Sequence, residues 1–126
     1  MIQRSPHHDT SVFDGRKIAY LRALATQLIR ELETIEGVTE GIVRHRTGAP
    51  AYRRVVCEQR TLAFVRTRPR LRGVRIDVTG GWKVPRSRLE LESSSATTLL
   101  VRSEIDVVQA VDLLRRAVDR KRSQQA

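Results

Sequence analysis

Residues 64–78 read FVRTRPRLRGVRIDV, with arginines at 66, 68, 70, 72 and 75 between apolar residues and Pro69 in the middle. Extended throughout, Arg66, Arg68, Arg70 and Arg72 would share one face at roughly 6.6 Å per step, close to the phosphate spacing of a single nucleic-acid strand. Pro69 cannot donate to a β-ladder, however, and the run joins two apolar, β-branched stretches, so the segment reads as a hairpin with the turn TRPRLR. The turn then projects its arginines as a cluster. Two adjacent antiparallel strands at the centre of the chain make a sheet the organising element of the fold.

Outward from this hairpin the period of two continues. EGIVRHRT, AYRRVVC, TLAFVRT and GVRIDVT are short and β-branched, separated by GAP, EQR and RPRLRG, which predicts an antiparallel meander. A further strand, ATTLLVR, leads into the C-terminal segment. The stretch GGWKVPRSRLELESSS, residues 80–95, mixes turn residues with one tryptophan and reads as a long mobile loop with one short strand at most.

The flanks change to helical spacing. Ile18, Leu21, Ala25, Leu28, Leu32 and Ile35 draw one stripe along a helix over residues 14–36, with Asp14 or Ser11 as its cap and Gly37 as its stop. At the other end Ser103 and Asp106 form a capping box ahead of Val107, Val111, Leu114 and Val118, in a helix running to about Arg120. The expected fold is α+β: an N-terminal helix, an antiparallel sheet of four to five strands and a C-terminal helix. The expected organisation is a flexible tail over 1–13, one domain over 14–120 and a second tail over 121–126.

Composition narrows the function. The chain has no apolar run approaching the roughly 18 residues of a membrane span, and MIQRSPHHDTS lacks the apolar segment of a secretory signal, so a cytoplasmic protein without membrane contact is expected. Cys57 is a lone cysteine in an apolar strand and reads as a small buried hydrophobe. The net charge of +10 is unevenly placed: residues 1–43 carry five basic and six acidic groups, and residues 89–126 six of each. Between Arg44 and Arg88 there are 13 basic groups against Glu58 and Asp77. Codon bias toward arginine would scatter these residues, not segregate them. Segregated positive charge attracts polyanions, and a nucleic acid, DNA or RNA, is the expected partner.

The candidate contact residues are Arg53, Arg54, Arg66, Arg68, Arg70, Arg72, Arg75, Arg86 and Arg88. Few exposed aromatic residues are expected beside them beyond Trp82, Tyr52 and Phe13, which argues against base stacking, so contact mainly to phosphate with little sequence specificity is expected. Three other readings stand beside this one. Charges can keep an exposed sheet edge from pairing with other chains. The arginines can grip an acidic protein, with Trp82 as the anchor, or Trp82 can instead close one end of the core. Lastly, His45 with Tyr52 and Arg53 or Arg54 resembles the acid–base and phosphate-stabilising set of a metal-independent ribonuclease. No converging metal ligands and no phosphate-binding glycine loop occur, so no metal, cofactor or catalytic residue is expected.

The order of a helix, AYRR, TLAFVRTRPRLRGVRIDV and LLVRSEIDVVQAVDLLRRAV resembles a small bacterial domain of unknown function, found alone or fused to other modules and often labelled a predicted transport protein. The resemblance spans roughly residues 14–120 and implies the helix–sheet–helix order. It implies no active site, and residues 80–95 are less regular than the family pattern.

Overall fold

The computed structural model describes residues 6–43, 52–91 and 97–125, with side chains from residue 15 onward. Helix α1 spans Pro6–Leu32, followed by strands β1 (Val38–Glu40), β2 (Arg53–Cys57), β3 (Arg60–Arg68), β4 (Gly73–Val78), β5 (Glu90–Leu91) and β6 (Thr98–Val101), and helix α2 spans Glu104–Gln125. All strand pairs are antiparallel and the order across the sheet is β1-β2-β3-β4-β6-β5. The fold is therefore α+β as expected, with six strands where four to five were expected. No helix among the described residues is long and apolar enough to cross a membrane.

The helices lie side by side on one face of the sheet, α1 over β3 and β4 and α2 against β6. Alternation along each strand decides which residues meet them. Val55, Val65, Val74, Ile76, Leu99 and Val101 point into an aliphatic core with Leu21, Leu24, Leu28, Leu32, Val107, Leu114 and Val118. Leu21, Ala25, Leu28 and Leu32 of the stripe read from the sequence form this buried face of α1; Ile18 is only half-buried, and Ile35 is buried beyond the helix, which ends at Leu32 and not at residue 36. A bulge between Val55 and Val56 opposes two β2 residues to three on β3, so Leu62 and Ala63 are buried consecutively.

Several boundaries move for identifiable reasons. Helix α1 starts at Pro6, not Asp14, because proline lacks the N–H that a first turn leaves unpaired and its fixed φ suits that position; helix growth then continues through Gly15. Helix α2 reaches Gln125, past the expected end at Arg120, since polar contacts replace the missing apolar ones. Arg122 Nη2 donates to the Glu58 carboxylate at 2.8 Å and to the Glu36 carbonyl, and Lys121 Nζ donates to the Gly81 carbonyl at 3.0 Å. The first strand comes at Val38–Glu40 and ends before Gly41, because Val38, not Ile42, is the apolar residue placed opposite Cys57. The expected GAP turn lies outside the described residues.

Of the stretch expected as a mobile loop, residues 80–91 are tied to the rest of the fold by side-chain contacts, and residues 92–95 lie outside the described residues. Trp82 is 9 % exposed, and its Nε1 donates to the Thr61 carbonyl at 3.0 Å while Lys121 lies over its ring. It closes one end of the core, so its reading as a partner's anchor is set aside. The loop then delivers β5 to the outer edge of β6, the short strand the sequence left uncertain.

Gly73 opens β4 where the backbone of β6 comes close. A Cβ on it would stand 2.8 Å from Leu100 Cδ1 and 2.8 Å from the Val101 carbonyl oxygen. Gly73→Val is expected to lower stability by about 1–3 kcal/mol through this overpacking, read as an earlier urea midpoint at unchanged m-value.

Candidate nucleic-acid interface

The sheet face away from the helices is built from the alternate positions of the central strands. The registers Arg54↔Phe64, Phe64↔Asp77 and Asp77↔Thr98 form one cross-strand row, and Arg66↔Arg75 and Arg75↔Leu100 form the next. Arg68 follows on β3, opposite Gly73. Among the described residues this face thus carries Arg54, Arg66, Arg68 and Arg75 around one carboxylate, that of Asp77.

Arg66 and Arg75 are directly opposite each other, a like-charge pairing that by itself destabilises a sheet. Asp77 relieves it. Arg75 Nε donates to Asp77 Oδ1 at 2.8 Å, Arg66 Nε stands 3.4 Å from Oδ2 without hydrogen-bond geometry, and Thr98 Oγ1 donates to Oδ1 at 3.3 Å. One carboxylate shared by two guanidiniums leaves the row positive. Arg54 Nε donates to Thr61 Oγ1 at 2.7 Å, which fixes that guanidinium over β2 and β3.

The hairpin turn adds a second group where β3 ends and β4 begins, packed against α1. Pro69–Leu71 form one turn of 3₁₀ helix, and Arg72 ends it with φ 55° and ψ 38°, its N–H donating to the Pro69 carbonyl. The left-handed conformation costs a non-glycine residue roughly 1–2 kcal/mol, and Arg72 occupies it immediately before a glycine. Arg68, Arg70 and Arg72 are all exposed. Arg102 joins them, its Nε donating to the Leu71 carbonyl at 3.2 Å. Below the turn, Ile18, Thr67, Arg68, Arg70 and Leu71 line a shallow groove, and Lys17 with Arg72 lines a neighbouring one.

Three of the candidate arginines fall elsewhere. Arg53 has the opposite parity and faces α1, where Nε and Nη2 each donate to Glu40 at 2.8 Å and Nη1 donates to Thr26 Oγ1 at 2.8 Å. The hydrogen bond from Arg53 holds the Glu40 carboxyl below the usual carboxylate range, and Glu40 in turn raises Arg53. Arg53 joins the sheet to the helix. Arg88 donates to Asp106 Oδ1 at 2.6 Å at the start of α2, and Arg86 is exposed on loop 79–89, which shares no strand with the open face. Of the ribonuclease set, His45 lies outside the described residues, Arg53 is turned to the helix side, and Arg54 stays on the open face. The described residues contain no group of His, Cys, Asp or Glu able to hold a metal. Cys57 is buried in the core, where burial pushes its thiol up.

Two features of the face were not foreseen. Arg102 belongs to the charge-balanced C-terminal segment, so no local excess of charge marks it. Tyr52 and Phe64 sit together, rings 5.1 Å apart and edge to face, with Arg66 over Tyr52 at 5.6 Å. Their shared parity with Arg54 and Arg66 was the available signal. Comparison of the chain with protein-family models, curated proteins and solved structures finds no match in any of the three.

Asp106 shows how the remaining charge is used structurally. Burial pushes its carboxyl up, but the Arg102 N–H at 2.9 Å, Arg88 and Ser103 together outweigh burial and hold it below the usual range. Half of the expected capping box is thus present: the Asp106 N–H donates to Ser103 Oγ at 3.4 Å, while the carboxylate accepts from the Arg102 N–H where the Ser103 N–H was expected. Asp106→Ala is expected to lower stability by about 1–3 kcal/mol at neutral pH. A depressed folded pKa stabilises above the unfolded carboxylate range and loses that contribution as pH falls through the folded value. The gap between wild type and variant in urea midpoint should therefore be full at pH 7 and close in acid, below about pH 4.

Proposed function

We propose that the protein binds nucleic acid without catalysis, holding phosphates on the open sheet face and the 3₁₀ turn. Arg54, Arg66, Arg68, Arg75, Arg70, Arg72 and Arg102 are the contacting residues. The observation that carries this reading is the placement of the Arg66 and Arg75 pair on β3 and β4, the interior strands of the sheet. Charges that protect a sheet from pairing belong on its edge strands, and here the edges are β1 and β5, VTE and EL. Interior arginines do not serve that purpose. Arg72 supports the same reading: a strained backbone filled by arginine, beside a glycine better suited to it, is explained by a use for the side chain.

The test is the salt dependence of binding to labelled oligonucleotides. Four to six phosphate contacts on a single strand give a fall of log affinity with log salt of slope about −3 to −4. Weak binding at physiological salt with a flat slope would overturn the proposal, and tight binding of an acidic protein under the same conditions would put the protein-partner reading in its place.

A further inference from the structure

We infer that the open face takes single-stranded nucleic acid, with bases stacked on Tyr52 and Phe64 while the neighbouring arginines hold the phosphates. This deepens the proposal above and rests on it. Tyr52 and Phe64 lie outside the hydrophobic cluster that holds the fold together, on the face the helices leave open, and both are half-buried. Five aromatic residues occur in the whole chain and the core is aliphatic, so two rings placed together outside it ask for another use. Their contact is edge to face, at 89° between ring planes, with Arg66 over Tyr52, so the pair is built from the ring and guanidinium contacts that nucleobases also accept.

Charge and rings are interleaved on the scale of single residues. Arg54 is the cross-strand neighbour of Phe64, Arg66 lies over Tyr52, and Arg75 follows on the next strand, one strand spacing of about 4.8 Å away. A strand of nucleic acid crossing β2, β3 and β4 therefore meets rings and guanidiniums in turn. An unpaired base can turn its face to a ring, a contact indifferent to sequence because every base has a π-face. In a duplex the bases are already stacked on one another, and a flat sheet surface reaches only phosphates. Single strands gain both kinds of contact, duplexes one.

The experiment uses the full chain and fluorescence anisotropy at several salt concentrations, with four labelled probes of about 12 nucleotides: oligo(dT), oligo(rU), an abasic strand of equal charge and a duplex. Oligo(dT) or oligo(rU) is expected to bind roughly fivefold to hundredfold tighter than the abasic strand, and whichever is tighter names the natural class. Tyr52→Leu combined with Phe64→Leu should erase that advantage and leave the salt slope unchanged, since no phosphate contact is removed, while Tyr52→Phe should retain it. An abasic strand or a duplex that binds as tightly as oligo(dT) and oligo(rU), with a steep salt slope, overturns stacking and leaves the phosphate reading standing. Failure of every probe to bind at physiological salt overturns both. The comparison of abasic and natural strands needs only the wild-type protein, so misfolding of the double variant would not blunt the test.

Discussion

Leu28→Asp is expected to unfold the protein. Leu28 is fully buried at the centre of the α1 stripe, between the second helix and the sheet. Removing a buried leucine side chain costs about 2–5 kcal/mol from lost transfer and cavity terms alone. Arg53, the described cation that faces α1, is already held by Glu40 and Thr26, so the carboxylate that replaces Leu28 must remain charged and desolvated or take up a proton at a further penalty of several kcal/mol. The two together match the roughly 5–15 kcal/mol that separates folded from unfolded states in a domain of this kind. Circular dichroism should show no cooperative thermal transition at neutral pH, with partial recovery in acid, where the carboxyl is neutral. A wild-type melting temperature would remove α1 from the core.

Leu28 was legible before any coordinates because helix burial repeats locally, in steps of three and four that a short window contains. The same holds for the hairpin, where Pro69 sits between two alternating runs, and for the serine that opens α2. What the sequence did not disclose depends on pairing across the chain. Residue parity placed Arg53 and Arg54 on opposite faces, yet nothing local says which face is open. That is decided by α1 packing over β3, and by Glu40, 13 residues away, capturing Arg53. Arg88 was claimed the same way by Asp106. Counting charge by segment registers an excess of arginine and cannot see that two of these arginines are neutralised by carboxylates from the balanced flanks.

The anchoring of residues 80–91 and the length of α2 escaped the sequence for a related reason. Both stretches lack apolar periodicity, and both are held by hydrogen bonds whose partners lie far off in sequence: Trp82 to Thr61, Lys121 to Gly81, Arg122 to Glu58. Glu58 itself sits at φ 51° and Gln59 at φ 72°, a tight hairpin turn for which asparagine and glycine are the usual residues. Arg122 binds the Glu58 side chain, so the C-terminal turn of α2 braces a strained hairpin. A window of sequence sees only an acid and an amide where a turn ought to be.

The exposed turn is where charge has no such structural employment, and it carries the second large effect. Replacing Arg68, Arg70 and Arg72 together by Gln removes three charges and keeps long polar side chains. Arg66 is left in place because it contacts Asp77 and Tyr52, so its loss would disturb the sheet face as well as the charge. All three substituted residues are exposed, and folding should hold to within about 0.5 kcal/mol per site. Each lost phosphate contact reduces the salt slope by about 0.7 on a single strand and about 0.9 on a duplex, so three give a drop of about 2 or nearly 3. Taken from a 1 M reference to physiological salt, this corresponds to a loss of affinity of roughly 50- to 150-fold, the same for every sequence because no base contact changes. If the arginines only guarded the sheet, the variant would scatter more light at unchanged salt slope. That outcome would sink phosphate binding by the turn, whereas a reduced slope with monomeric, folded protein assigns the three arginines to the ligand.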